Sequence, residues 1–351
     1  MTKKYFLSFQ TVFRLNENAK WLEEFLIYYI NLGFDHFYLY DNDGSISEYD
    51  PSRQVNKNGD PIRLDEPEED KAILDAIMKK YGDKITYTKW QPRDENNNIV
   101  YAQDWATMDF IKRYADETEW VATMDLDEFL YSKNEINIPQ YLRDQPENVS
   151  RIFLGQKRFI HRFEANNKLV TQDFRCENFY MPAGTGGSKN IVRVKDFVDI
   201  EQIQAMDLKN FEMSDIYMNE ELQKLYKTMH LHLHDVAVKN EVVIPPEEVL
   251  RFNHYQAQLN KIPKDKQGYD DCMKRYKYLF YKLEIDKEGF SVMNVNDNNN
   301  YTLYIGLFVF LLFIAIFMVI RYNNKKNRLL YPIFFALLLL FVVIVYQSSR
   351  L

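Results

Sequence analysis

Cysteine is nearly absent: the 351 residues hold two, Cys176 and Cys272, far apart in the chain. They could form one disulfide at most, which excludes a disulfide-stapled scaffold, and they offer no cysteine spacing that would bind a metal. A reducing compartment, or indifference to redox, is expected. Acidic residues are missing altogether from residues 301–351, where five basic ones stand: Arg321, Lys325, Lys326, Arg328 and Arg350. Of the 44 basic residues, 39 are therefore left in residues 1–300 against all 51 acidic ones, a net of −12. Such a field repels a phosphate backbone, so no nucleic-acid partner is expected. Met1–Gln10 reaches polar residues before an adequate apolar region forms, and no secretory signal is expected there.

Aromatic residues are plentiful. Twenty-five Tyr, 25 Phe and a hydrophobic share of 46% can bury a large core and exclude a disordered chain. The sharpest compositional break is the polar stretch Asp297–Asn300, after which Tyr301–Ile320 and Leu329–Tyr346 carry no charge. Each run approaches the roughly 20 residues that cross a bilayer. Joined by the basic loop Arg321–Arg328, they predict a two-helix transmembrane hairpin over 301–346, with a buried helical hairpin as the alternative. The expected organisation is a catalytic domain over 1–296, with halves 1–131 and 132–296, a linker at 297–300, and the hairpin. Two orientation rules conflict. The basic loop favours a cytoplasmic loop between the spans, whereas a large domain without a signal favours a cytoplasmic domain. The second argument is preferred, so a multi-pass membrane protein with a cytoplasmic catalytic domain is expected.

Within residues 1–130, short aromatic and β-branched runs alternate with helix-period segments. Strands are expected at Tyr5–Arg14, His36–Tyr40, Ile85–Trp90 and Trp120–Met124, and helices at Asn16–Leu32, Glu68–Tyr81 and Val100–Tyr114. This alternation implies parallel crossovers and a Rossmann-like α/β fold with a doubly wound, mainly parallel sheet. Ligands then belong at the carboxyl ends of the strands.

Trp120–Tyr131 carries the strongest chemical signal. An apolar strand runs into Asp125-Leu126-Asp127, and a period of two sends both carboxylates to one side. Hard oxygen ligands in that spacing suit Mg²⁺ or Mn²⁺, with open positions left for a diphosphate. The turn Asp41–Ser45 fails as a calcium loop, because its sixth position is Ile46 and its twelfth Ser52. It can instead meet a base or ribose, or serve as a plain turn. His230, His232 and His234 would share one face of a strand, either as a ligand set or as part of a half-buried strand. Gly184–Ser188 reads as a lid or as a surface turn.

Together these pieces resemble the nucleotide-sugar glycosyltransferases of the GT-A fold, closest to glycosyltransferase family 92 and its neighbours in family 2. The resemblance covers roughly residues 8 to 265. It is carried by Asn16-Glu17, Trp21–Phe25, Gly33–Asn42, Gln103, Trp120–Leu130, Lys189–Arg193, Asn253-His254-Tyr255 and Lys261. Two departures stand out: Leu15 replaces the family's Lys before Asn16, and Val194 replaces the Pro after Arg193.

The resemblance implies metal-dependent transfer of a sugar from a nucleotide-sugar donor to a glycan, protein or lipid acceptor. It places Asp125 and Asp127 on a divalent cation, Mn²⁺ or Mg²⁺, with His254 as the last metal ligand and Lys261 near the donor phosphates. Asn16, Glu17, Asp41, Gln103 and Lys189 fall in its donor-binding motifs. An inverting enzyme also needs a general base. Glu177 in Arg175–Phe179 is preferred over Asp173 and Glu164, and the competing reading is an ordinary surface carboxylate. The functional alternative is a membrane-tethered module that binds a sugar nucleotide or glycan without turnover.

Overall fold

Strand β1 (Tyr5–Phe13) faces two cores at once. Leu7 and Phe9 point into one buried cluster and Val12 into another, as the two-residue period of a strand covered on both sides requires. The computed structural model describes residues 3–45, 68–161, 169–206 and 234–281, with isolated positions from 220 to 231. All belong to one unit, Met1–Glu284. Helix α1 (Leu15–Asn31) lays Leu22, Phe25, Leu26 and Tyr29 into the first cluster. It stops at Asn31, capped by Leu32, and the chain turns at Gly33, whose φ of +90° suits glycine and whose added Cβ would stand 2.7 Å from Pro139 Cγ. Strand β2 (His36–Asp41) sends Phe37 and Leu39 to the first cluster and Tyr38 and Tyr40 to the second.

Helix α2 (Glu68–Tyr81) covers the first side through Leu74 and Ile77, and β3 (Ile85–Lys89) closes that edge of the sheet. Helix α3 (Gln103–Tyr114) covers the second side with Trp105 and Met108, and β4 (Thr118–Thr123) follows. The chain continues through β5 (Glu128–Tyr131), α4 (Ile138–Arg143), β6 (Val149–Leu154), β7 (Gln156–Ile160), β8 (Arg175–Glu177) and β9 (Lys189–Arg193). The remaining elements are α5 (Ile200–Ala205), β10 (Glu241–Val243), β11 (Arg251–Ala257) and β12 (Gln267–Tyr269).

The strands form two sheets, which corrects the expectation of one mainly parallel sheet. The first has the order β10-β6-β9-β4-β1-β2-β3. Its β4-β1-β2-β3 half is parallel, but β9 runs antiparallel to both β4 and β6. The second, β12-β8-β7-β11-β5, is antiparallel except between β7 and β11. Antiparallel neighbours need no helical crossover, so the helix-strand alternation of the first 130 residues could not foretell them.

The transmembrane hairpin is a second correction. Among the described residues no helix is long and apolar enough to cross a membrane. The longest, α1, has 17 residues and carries Glu17, Lys20, Glu23 and Glu24, short of the roughly 20 mainly apolar residues a span requires. Uncharged composition meets a length rule without establishing a helix. Residues 301–346 lie outside the described residues, and the described fold gives no support to the expected multi-pass membrane location or to its cytoplasmic orientation.

Candidate active site

From β1 the chain steps outward to β2 and β3, then returns to place β4 on the other side of β1. The crossovers thus leave in opposite directions between β1 and β4, which opens a crevice at the carboxyl ends of those two strands. Arg14 follows β1 there, and Asp125 follows β4 by two residues.

Asp125-Leu126-Asp127 is a turn between the two sheets, not the end of a strand. Strand β4 stops at Thr123 and β5 starts at Glu128 in the second sheet. The turn is closed reciprocally. The Glu128 amide donates to the Asp125 carbonyl at 3.1 Å, and the Asp125 amide donates to Glu128 Oε2 at 2.8 Å. Gln103, the first residue of α3, donates Nε2 to Asp125 Oδ1 at 2.7 Å. From the start of β9, Lys189 Nζ reaches Asp125 Oδ2 at 2.8 Å and Glu128 Oε2 at 3.1 Å. His254, at the middle of β11, brings Nε2 within 3.7 Å of Asp127 Oδ1. Its Nδ1 lies 3.0 Å from Gln156 Oε1 and 3.5 Å from Glu128 Oε1.

Three carboxylates thus meet one ammonium and one imidazole. Burial pushes the Glu128 carboxyl well above its ordinary range; Asp125 and Asp127 push the same way and Lys189 opposes them. Burial works against the Lys189 charge, yet Asp125 and Glu128 outweigh it and hold the ammonium above its ordinary range. Tyr101 closes the cluster from the loop before α3. Its hydroxyl is raised first by burial and then by the Asp125 charge, and Arg14 lies 5.5 Å from the centre of its ring. As a cation site the cluster is partial. Asp125 is already engaged by Gln103 and Lys189, and among the described residues no group of three or more His, Cys, Asp and Glu could hold a metal ion. Asp127 and His254 form a pair whose separation suits one shared cation at ordinary ligand distances of about 2.1 Å.

Asp125, Asp127, Gln103, Lys189 and His254 are therefore brought together, and other expected residues take different places. Asp41 is buried, and its oxygens accept from the Leu15 and Asp43 amides and, at 2.6 Å, from the Tyr87 hydroxyl. It supplies a carboxylate to the first turn of α1, where backbone N–H groups lack partners within the helix. Asn16 donates its amide to Asp43 Oδ1, and Glu17 pairs with Arg14 at 2.9 Å. Lys261 is exposed in the 3₁₀ turn Leu259–Lys261 beyond β11.

Glu177 lies on the same sheet face as His254, two strands away. His254 registers with Arg158, and Phe159 with Cys176, so the row runs His254, Arg158, Glu177 over roughly 10 Å. Both Glu177 oxygens accept from Arg158, at 2.5 and 2.7 Å. Asp173 is held in the same manner by Arg175. Glu164, His230 and His232 lie outside the described residues. His234 stands in a turn, where Nδ1 donates to the Ser188 carbonyl at 2.9 Å.

Glu128, Gln156, Tyr101 and Arg14 were not singled out in the sequence. Glu128 had a signal in its position directly after Asp127, whereas Gln156 had none, since it meets His254 across 98 residues.

No protein-family model and no curated protein matches the chain. Among solved structures, one match is the crystal structure of 4-diphosphocytidyl-2C-methyl-D-erythritol synthase from Anaerococcus prevotii. It has a TM-score of 0.31 and 13% identity, covering 79% of this chain and 99% of that one. At that level the likeness carries no argument about function.

Proposed function

We propose that the chain transfers a sugar from a nucleotide-sugar donor to a glycan, protein or lipid acceptor, with Mn²⁺ or Mg²⁺ held by Asp127 and His254. The observation that supports this reading is the convergence of Asp125, Asp127, Gln103, Lys189 and His254 on the crevice between β1 and β4. That crevice is where an open α/β sheet receives a ligand. Two protein ligands leave coordination positions for a diphosphate, the usual arrangement for a small hard cation. Bound there, the cation would neutralise charge on the departing diphosphate. Lys189 keeps Asp125 and Glu128 in register and adds a fixed positive charge beside them. Glu177 serves as the base for the acceptor hydroxyl once Arg158 releases one of its oxygens.

The Arg158 grip on Glu177 favours a second reading, donor binding without turnover. Nucleoside diphosphate release by the full chain, over a panel of nucleotide sugars with Mn²⁺, separates the two. Release is expected with at least one donor and is lost with chelator and in Asp127→Asn. Release that survives both would remove the metal from the reading. Thermal stabilisation by a donor without release would select binding alone.

A further inference from the structure

We propose that Gln156 is a positioning residue: it fixes the tautomer of His254 and couples that ring to the glycine loop 184–187. Gln156 opens β7 and is 2% exposed. Its Nε2 donates to the Gly186 carbonyl at 3.0 Å. Only the amide nitrogen can donate to a carbonyl, so this bond sets which end of the amide faces His254. The end that remains, Oε1, lies 3.0 Å from His254 Nδ1 and has to accept from it. Glu128 Oε1 stands 3.5 Å from the same nitrogen without a hydrogen bond to it, so the Gln156 amide is the partner that sets the ring.

A neutral imidazole carries a single ring N–H. With the proton on Nδ1, the lone pair falls on Nε2, which lies 3.7 Å from Asp127 Oδ1. That nitrogen is the one a cation shared with Asp127 would use. This last step rests on the proposed metal pair; the tautomer does not.

The loop enters through Gly187. Its φ is +63°, and an added Cβ would stand 2.1 Å from Gln156 Nε2. The amide is thus packed against backbone that glycine alone leaves open. Ser188 ties the same loop internally, its Oγ accepting from the Gly184 amide at 2.8 Å, and the next residue is Lys189. One short loop therefore delivers the ammonium that holds Asp125 and, through Gln156, orients the imidazole beside Asp127.

The test uses the full chain labelled with [¹⁵N]histidine, at a pH where the rings are neutral. Long-range ¹⁵N–¹H correlation reports the tautomer of each of the six histidines, and the His254 signals are those lost in His254→Asn. His254 is expected as the Nδ1–H form in the native chain and in Gln156→Glu. Gln156→Leu and Gly187→Ala should lose that single form, with Mn²⁺ affinity, read from the signal of the free ion, falling roughly 10- to 100-fold. An Nε2–H ring in the native chain, or a tautomer unchanged in folded Gln156→Leu, overturns the proposal. Should Gln156→Leu fail to fold, the native and Gly187→Ala spectra decide it. If the tautomer follows Gln156 while the native chain binds no Mn²⁺, the metal reading falls and the positioning role stands.

Discussion

Replacing Lys189 by Met removes the positive charge from the centre of the cluster while keeping most of the side-chain volume, so any loss is electrostatic and not that of a cavity. The ammonium is fully buried, 2.8 Å from Asp125 and 3.1 Å from Glu128. At an effective dielectric of about 20, each contact is a gross attraction of about 5–6 kcal/mol. Repulsion between the two carboxylates and the desolvation of the ammonium cancel much of that. What the variant leaves behind is the wholly buried Glu128 without its counter-charge, and breaking such a pair costs about 3–5 kcal/mol. Urea unfolding followed by tryptophan fluorescence measures it, because Trp21 and Trp120 report one core and Trp90 and Trp105 the other. The double variant Lys189→Met/Glu128→Gln should recover part of the loss, with a coupling of about 2 kcal/mol. A single variant within about 1 kcal/mol of the native chain, or a double variant no better than the single, would refute the counter-charge role.

Glu24 is buried on α1, and its carboxylate accepts from the Val170 amide at 2.7 Å and from the Thr171 amide and hydroxyl at 3.0 and 2.7 Å. Glu24→Gln turns one acceptor into a donor facing donors and should cost about 2–4 kcal/mol in the same urea assay; a change below about 1 kcal/mol would remove the latch. His36, stacked on Tyr5 and bonded to Thr86, is held down to about 4, chiefly by burial and then by Lys4 and Lys84. The unfolded chain therefore binds this proton first as pH falls. The contribution is complete above about pH 6.5 and is lost toward pH 4, amounting to about 1–2 kcal/mol once partial solvent access is allowed for. His36→Phe should flatten that part of the stability–pH curve, and an unchanged slope would assign it to other groups.

How legible each element was depended on where its defining contacts lie. Helix α2 is expected and observed over Glu68–Tyr81, because acidic residues in its first turn, Lys79 and Lys80 in its last, and Gly82 beyond are all local. Strand β2 is also legible, as an apolar run after Gly33. Helix α3 begins three residues later than expected. Val100 is drawn off instead: its amide bonds to the Pro92 carbonyl and its own carbonyl accepts from Asn42 Nδ2, while Ala102 caps the helix. Strand β8 could not be read locally, because its three residues pair with β12 about 90 positions further on.

The same division runs through the site. The carboxylates of Asp125 and Asp127 were visible as a spacing, but their placement depends on the chain changing sheets between Thr123 and Glu128. That change buries Glu128 beside β9 and β11, so a residue whose local mark is no more than its place after Asp127 becomes the carboxylate that Lys189 must neutralise and that faces His254 Nδ1. Asp41 shows the converse. A polar turn after a strand looks like ligand-binding chemistry, yet its carboxylate is consumed by two backbone amides and the Tyr87 hydroxyl. What separates the two aspartates is who already occupies their oxygens, and that is decided by partners far off in the chain: Gln103 and Lys189 for Asp125, His254 for Asp127. On this reasoning Asp127, beside His254 Nε2, is the position at which the proposed donor chemistry should respond most to substitution, and Asp125 the position at which the fold around it should respond.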